Sequence, residues 1–118
     1  YTVFARPGVF GRALIESPTL QIYDNQLVRM LANTHALPER IYLGIGTNED
    51  SAPGCDPKAA TLPKDDMMSA FQQTVATLHG AGLDSTRLRV VIEPCATHTH
   101  AAWAARLPAA LSFLFHER

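Results

Sequence analysis

The chain has 118 residues, of which 47% are hydrophobic and 18% charged, with a formal net charge of −1. That suffices for one domain with a modest core and is too apolar for a disordered chain. With no basic block and no Lys/Arg stripe among aromatics, nucleic acid and an anionic membrane are excluded as expected partners, and no apolar run approaches the ~18 residues of a membrane span.

The chain opens at Tyr1 in YTVFARPG, without Met and without a signal-peptide pattern. It reads as beginning inside an element, as a truncated or processed chain does. The expected compartment is the cytoplasm, with a secreted or periplasmic location left open.

The first element is a strand over Phe10–Glu16, with Ala13 and Ile15 inward. It ends at Ser17-Pro18, because a proline disfavours helix in the residue before it. Asp24 is placed to cap a helix in which Leu27, Val28, Met30 and Leu31 recur at helical spacing through His35. Ile41–Ile45 is a second apolar strand. The loop TNEDSAPGCDPKAATLP (47–63) is long for a connection, which marks it as functional or mobile.

A second helix is expected from about Lys64 to His79, with Met67, Phe71, Val75 and Leu78 as its buried stripe and Gly80 and Gly82 as its stop. Leu88–Glu93 is a third strand. Ala101–Phe115 is helical with Trp103, Leu107, Leu111 and Leu114 on one face. Pro108 would break that helix, so it is expected in the first turn of a second, shorter one.

The order is βαβαβα, an α/β fold with a parallel sheet and right-handed crossovers. In such sheets catalytic groups gather beyond the C-terminal ends of the strands. Three stretches land there: Ser17-Pro18, Asn48-Glu49-Asp50 and Cys95–His100.

A histidine in CATHTHAAW (95–103), His98 or His100, can take a proton near neutral pH. Glu49 or Asp50 in GTNED (46–50) can orient an imidazole and stabilise its charged form. An acidic loop before a histidine loop matches the order Ser…Asp/Glu…His of α/β-hydrolases. The chain has no G-x-S-x-G. Its serines are Ser17, Ser51, Ser69, Ser85 and Ser112. Ser17 is followed by Pro18, which has no N–H to give an oxyanion, so it shapes the site rather than attacks.

Other chemistries fit less well. His98-x-His100 with Cys55, Cys95 or Asp50 could bind zinc but lacks a defined second ligand pair. GIGTNE (44–49) resembles a dinucleotide loop, yet Pro53 and Gly54 intervene before any helix. Cys55 and Cys95 are either one bridge or two free thiols in a reducing compartment. A small non-catalytic α/β binding domain is the alternative to an enzyme.

The stretches RPGVFGRALIESPTL, RIYLGIGTNED and ATHTHAAWAARLPAALSFLF resemble the C-terminal half of the esterase family that includes the enterochelin esterases and the relatives of esterase D. The resemblance implies that residues 1–118 are the C-terminal part of one α/β-hydrolase domain. His98 would be the catalytic histidine and Glu49, or else Asp50, the acid. Ser17 and Trp103 would lie at the substrate pocket. RPGVFGRA would end the helix after the nucleophile, with the serine upstream of Tyr1. Cys95 and His100 depart from the family's usual residues. The activity implied is hydrolysis of a small-molecule carboxylic ester through an acyl-serine, with no metal or organic cofactor. Alone the chain would be inactive, and its open sheet edge would pair with the missing N-terminal half or with a second copy.

Overall fold

The computed structural model describes every residue except 7, 35, 60, 117 and 118. Four helices and three strands alternate: α1 (Thr2–Ala5), β1 (Arg12–Glu16), α2 (Ile22–Ala32), β2 (Arg40–Gly46), α3 (Asp66–Gly80), β3 (Leu88–Glu93) and α4 (His100–Phe115). The strands form one parallel sheet in the order β1-β2-β3. This is the expected α/β class, and no helix among the described residues is long and apolar enough to cross a membrane.

β2 is the centre of the molecule. Its side chains alternate between two faces, and both are covered, which is why IYLGI is apolar throughout. Ile41, Leu43 and Ile45 are fully buried against Leu31 of α2 and Met68, Phe71 and Leu78 of α3. Tyr42 points the other way, onto Ala110 and Leu114 of α4. Burial first, and then the nearby Glu16 carboxylate, push its phenol pKa up.

The helix ends follow local chemistry. Asp65 caps α3 by accepting from the Met68 amide at 2.7 Å, and Thr99 caps α4 by accepting from that of Ala102. Arg40 closes the far end of α4, donating to the carbonyls of Phe113 and His116.

Several expectations are corrected. Asp24 is not a cap: Tyr23, Asp24 and Asn25 have left-handed backbone angles, and the Asp24 carboxylate, exposed, accepts from Arg29 at 2.7 Å. The expected end of that helix, His35, lies outside the described residues; α2 stops at Ala32. The first helical turn ends at Ala5, Gly8 and Val9 form a turn, and β1 begins at Arg12, so the stretch expected to end a helix does run into the strand, but its described residues are not helical. In α3 the buried stripe is Met68, Phe71, Thr74 and Leu78, with Met67 and Val75 at its margin.

Pro108 lies inside one continuous helix. Both Pro108 and Ala104, whose carbonyl loses its partner there, are on the exposed side, where water can serve that carbonyl. The buried positions of α4 are Arg106, Ala110 and Leu114, while Leu107 and Leu111 are exposed.

Arg106 explains that rotation. It is only 5% exposed. Its Nε donates to Glu16 Oε2 at 2.8 Å and its Nη1 to Glu93 Oε2 at 2.7 Å. Burial works against its charge, but the hydrogen bonds to Glu16 and Glu93 outweigh this and raise its pKa. The guanidinium thus ties the ends of β1 and β3 to α4, across β2.

Candidate active site

Two glycines at alternate positions of β2 make the site possible. Gly44 and Gly46 share the face of Tyr42, beneath α4. A Cβ on Gly44 would stand 2.6 Å from the Glu16 carboxylate. A Cβ on Gly46 would stand 3.0 Å from Glu49 Oε1 and far inside contact distance of the Ala96 carbonyl. Each glycine leaves room for one carboxylate to lie against the strand.

Beyond the sheet the loops after β2 and β3 are stitched together. Asn48 N–H donates to Ala96 O, Thr47 N–H to Glu93 O, and Cys95 N–H to Thr47 Oγ1. Cys55 and Cys95 form a disulfide, so the open choice between bridge and free thiols is decided for the bridge. The long loop is therefore anchored to the histidine loop at its Cys55.

Glu49 sits where these segments meet, its side chain 10% exposed. Its Oε1 accepts from the Ser17 hydroxyl at 2.9 Å and the Gly46 amide at 2.5 Å. Its Oε2 faces His98 Nδ1 at 2.8 Å. Three donors fix the plane of this carboxylate. The contact with an ionised carboxylate places the proton of neutral His98 on Nδ1, leaving Nε2 free to accept another. The His98 side chain is 44% exposed, and its hydrogen bond among the described residues uses Nδ1 alone.

Trp103, on the first turns of α4, packs edge-on against both His98 and His100, at 5.2 and 5.1 Å between ring centroids. Its indole N–H donates to Ser17 Oγ at 3.0 Å. Ser17 is buried and bends left-handed (φ 43°) at the end of β1, with its amide held by the Gly44 carbonyl.

The structure thus brings Ser17, Glu49, His98 and Trp103 into one cluster. It leaves Asp50 out: that side chain is exposed and makes no hydrogen bond or ion pair among the described residues. Glu49 is the carboxylate that meets the imidazole. Asp50 instead borders a cleft of about 520 Å³ between the long loop and the start of α3, alongside Glu49, Asn48, Gln21, Pro63 and Asp65.

None of the five serines hydrogen-bonds to His98 among the described residues. The weighed zinc set loses Cys55 and Cys95 to their bridge, and no group of three or more His, Cys, Asp or Glu among the described residues could hold a metal. The GIGTNE loop leads into no helix: α3 begins at Asp66.

Sequence reasoning missed the roles of Gly46, Thr47 and Arg106. Only Gly46 carried a signal, as the second of two glycines one residue apart at a strand end. Adding a methyl group there, as Gly46→Ala, drives it into the Ala96 carbonyl. The expected result is a loss of about 3 kcal/mol of stability, at the upper end of overpacking costs, read by urea unfolding.

No protein-family profile, curated protein or solved structure matches the chain.

Proposed function

We propose that this chain supplies the general base and the orienting acid of a serine esterase, as the C-terminal part of an α/β-hydrolase domain. The observation that carries the reading is the pair His98 Nδ1 and Glu49 Oε2 at 2.8 Å, built on the C-terminal ends of adjacent parallel strands, with Nε2 open. A histidine oriented this way is prepared to act as a base.

In this reading the attacking serine and the oxyanion donors come from outside residues 1–118. Nε2 of His98 takes the serine proton as the oxygen attacks the ester carbonyl. The imidazolium, steadied by Glu49, returns that proton to the departing alcohol, leaving an acyl-serine. Water then repeats the cycle and releases the acid. In this reading the cleft bordered by Glu49 and the long loop receives part of a small ester substrate. The outer edge of β1, unpaired among the described residues, suits a strand from the segment that brings the serine. The bridge favours an oxidising compartment, periplasmic or secreted, over the cytoplasm.

Fluorophosphonate labelling of the complete polypeptide that carries this chain tests the proposal. The expected adduct is on one serine outside residues 1–118, and labelling is lost in His98→Ala. An adduct on one of the five serines here would overturn the division of labour. No adduct and no ester turnover would leave a non-catalytic binding domain.

A further inference from the structure

Ser17 and Trp103 are bound to each other and to the His98–Glu49 pair, and the direction of their hydrogen bonds is fixed by chemistry. An indole N–H only donates, and an ionised carboxylate only accepts. The Ser17 hydroxyl, with one proton, must therefore accept from Trp103 Nε1 at 3.0 Å and donate to Glu49 Oε1 at 2.9 Å. The same Trp103 ring meets His98 edge-on at 5.2 Å. His98, Glu49, Ser17 and Trp103 thus close into a ring of four side chains drawn from the loop after each strand and from α4.

We infer that Ser17 and Trp103 are positioning residues for His98, acting through Glu49 and through the face of the imidazole; this rests on the esterase reading for its consequence in turnover, though not for its geometry. Ser17 is suited to nothing else nearby. It is 3% exposed, its only proton is already given to Glu49, and its backbone is pinned to β2. Its hydroxyl holds Oε1 so that Oε2 stays aimed at Nδ1. The indole N–H, by occupying the Ser17 lone pair, keeps that hydroxyl turned toward Glu49 rather than toward the backbone. One residue therefore holds the histidine twice: its ring edge limits the tilt of the imidazole, and its N–H fixes the carboxylate that selects the tautomer.

This relay makes a prediction that a merely structural role does not. Removing either link breaks the same path, so Ser17→Ala and Trp103→Phe are non-additive. Trp103→Phe keeps an aromatic edge for His98 and deletes only the N–H, and it carries the test should Ser17→Ala lose its fold. The readout is the tautomer of His98 in the 15N-histidine-labelled protein at pH 9, where free imidazole is neutral, together with the downfield Nδ1–H proton signal. In the wild type the Nδ1–H tautomer dominates. Each variant is expected to lower the Nδ1–H to Nε2–H ratio about tenfold, the worth of one hydrogen bond to a charged group, and the double variant to lower it no further. In the complete polypeptide the same variants lower kcat about tenfold with KM little changed.

An unchanged tautomer ratio in both folded variants overturns the positioning role, as does a double variant whose effect is the product of the two. A shifted ratio in a protein that turns over no ester upholds the relay and removes the esterase reading, so the two failures are distinguishable.

Discussion

In the proposed esterase, His98→Ala is expected to lower kcat for a p-nitrophenyl ester by about 10⁵-fold or more, because His98 is the imidazole whose Nδ1 the Glu49 carboxylate holds. Glu49→Gln should cost on the order of 10⁴-fold. Its amide can present an N–H to Nδ1, which forces the proton onto Nε2 and removes the base. Its remaining oxygen still accepts from the Ser17 hydroxyl and the Gly46 amide, as Oε1 does in the wild type, so the damage falls on Nδ1. Asp50→Asn, by contrast, should retain nearly full activity, because that carboxylate is exposed and makes no hydrogen bond or ion pair among the described residues. Steady-state kinetics of the three variants decide the matter. An active Glu49→Gln beside an inactive Asp50→Asn would reverse the choice of acid.

Arg106→Met is expected to be among the most damaging single changes to stability. The guanidinium is the shared partner of Glu16 and Glu93 beneath α4, and its loss leaves two carboxylates side by side with no counter-charge. Breaking a buried pair in this way costs about 3–5 kcal/mol. The lower end applies here, because Glu93 is 40% exposed and water can take up part of its charge. Neutralising the carboxylates as well, in Arg106→Met/Glu16→Gln/Glu93→Gln, should recover most of the loss, since the penalty lies in the uncompensated charge rather than in the missing contact. Urea midpoints of the single and triple variants measure both. A triple variant no more stable than the single one would show that Arg106 acts through packing of its stem instead.

Arg106 also marks where sequence reasoning stops. The strands were legible because apolar runs such as IYLGI and LRVVIE fit few alternatives between helices, and Leu88–Glu93 lies where it was expected. On α4 the same reasoning put Leu107 and Leu111 inward, since leucines outrank an arginine in any hydrophobic pattern. The arginine won because two carboxylates from β1 and β3 wait for it, a pairing across 90 and 13 residues that no periodicity encodes. At the site the positions of Glu49 and His98 followed from strand order alone, since both fall just past strand ends. The choice of Glu49 over Asp50 did not. It depends on Gly46 and Ser17 both reaching Oε1, which is decided in three dimensions. Asp24 failed for a local reason: its backbone turns left-handed, so its carboxylate meets Arg29 instead of the helix amides.

The disulfide has a kinetic meaning besides its place in the site. Gly46 and Glu93, neighbours across the β2–β3 ladder, are separated by nearly the whole α3 crossover along the chain. Cys55 lies nine residues beyond the one and Cys95 two residues beyond the other. Once the bridge has formed, the ends of these strands are connected by a path much shorter than the crossover. Closing that shorter loop costs less entropy, so the slow step expected of a parallel pair, bringing distant strands into register, meets a lower barrier in the oxidised chain than in the reduced one.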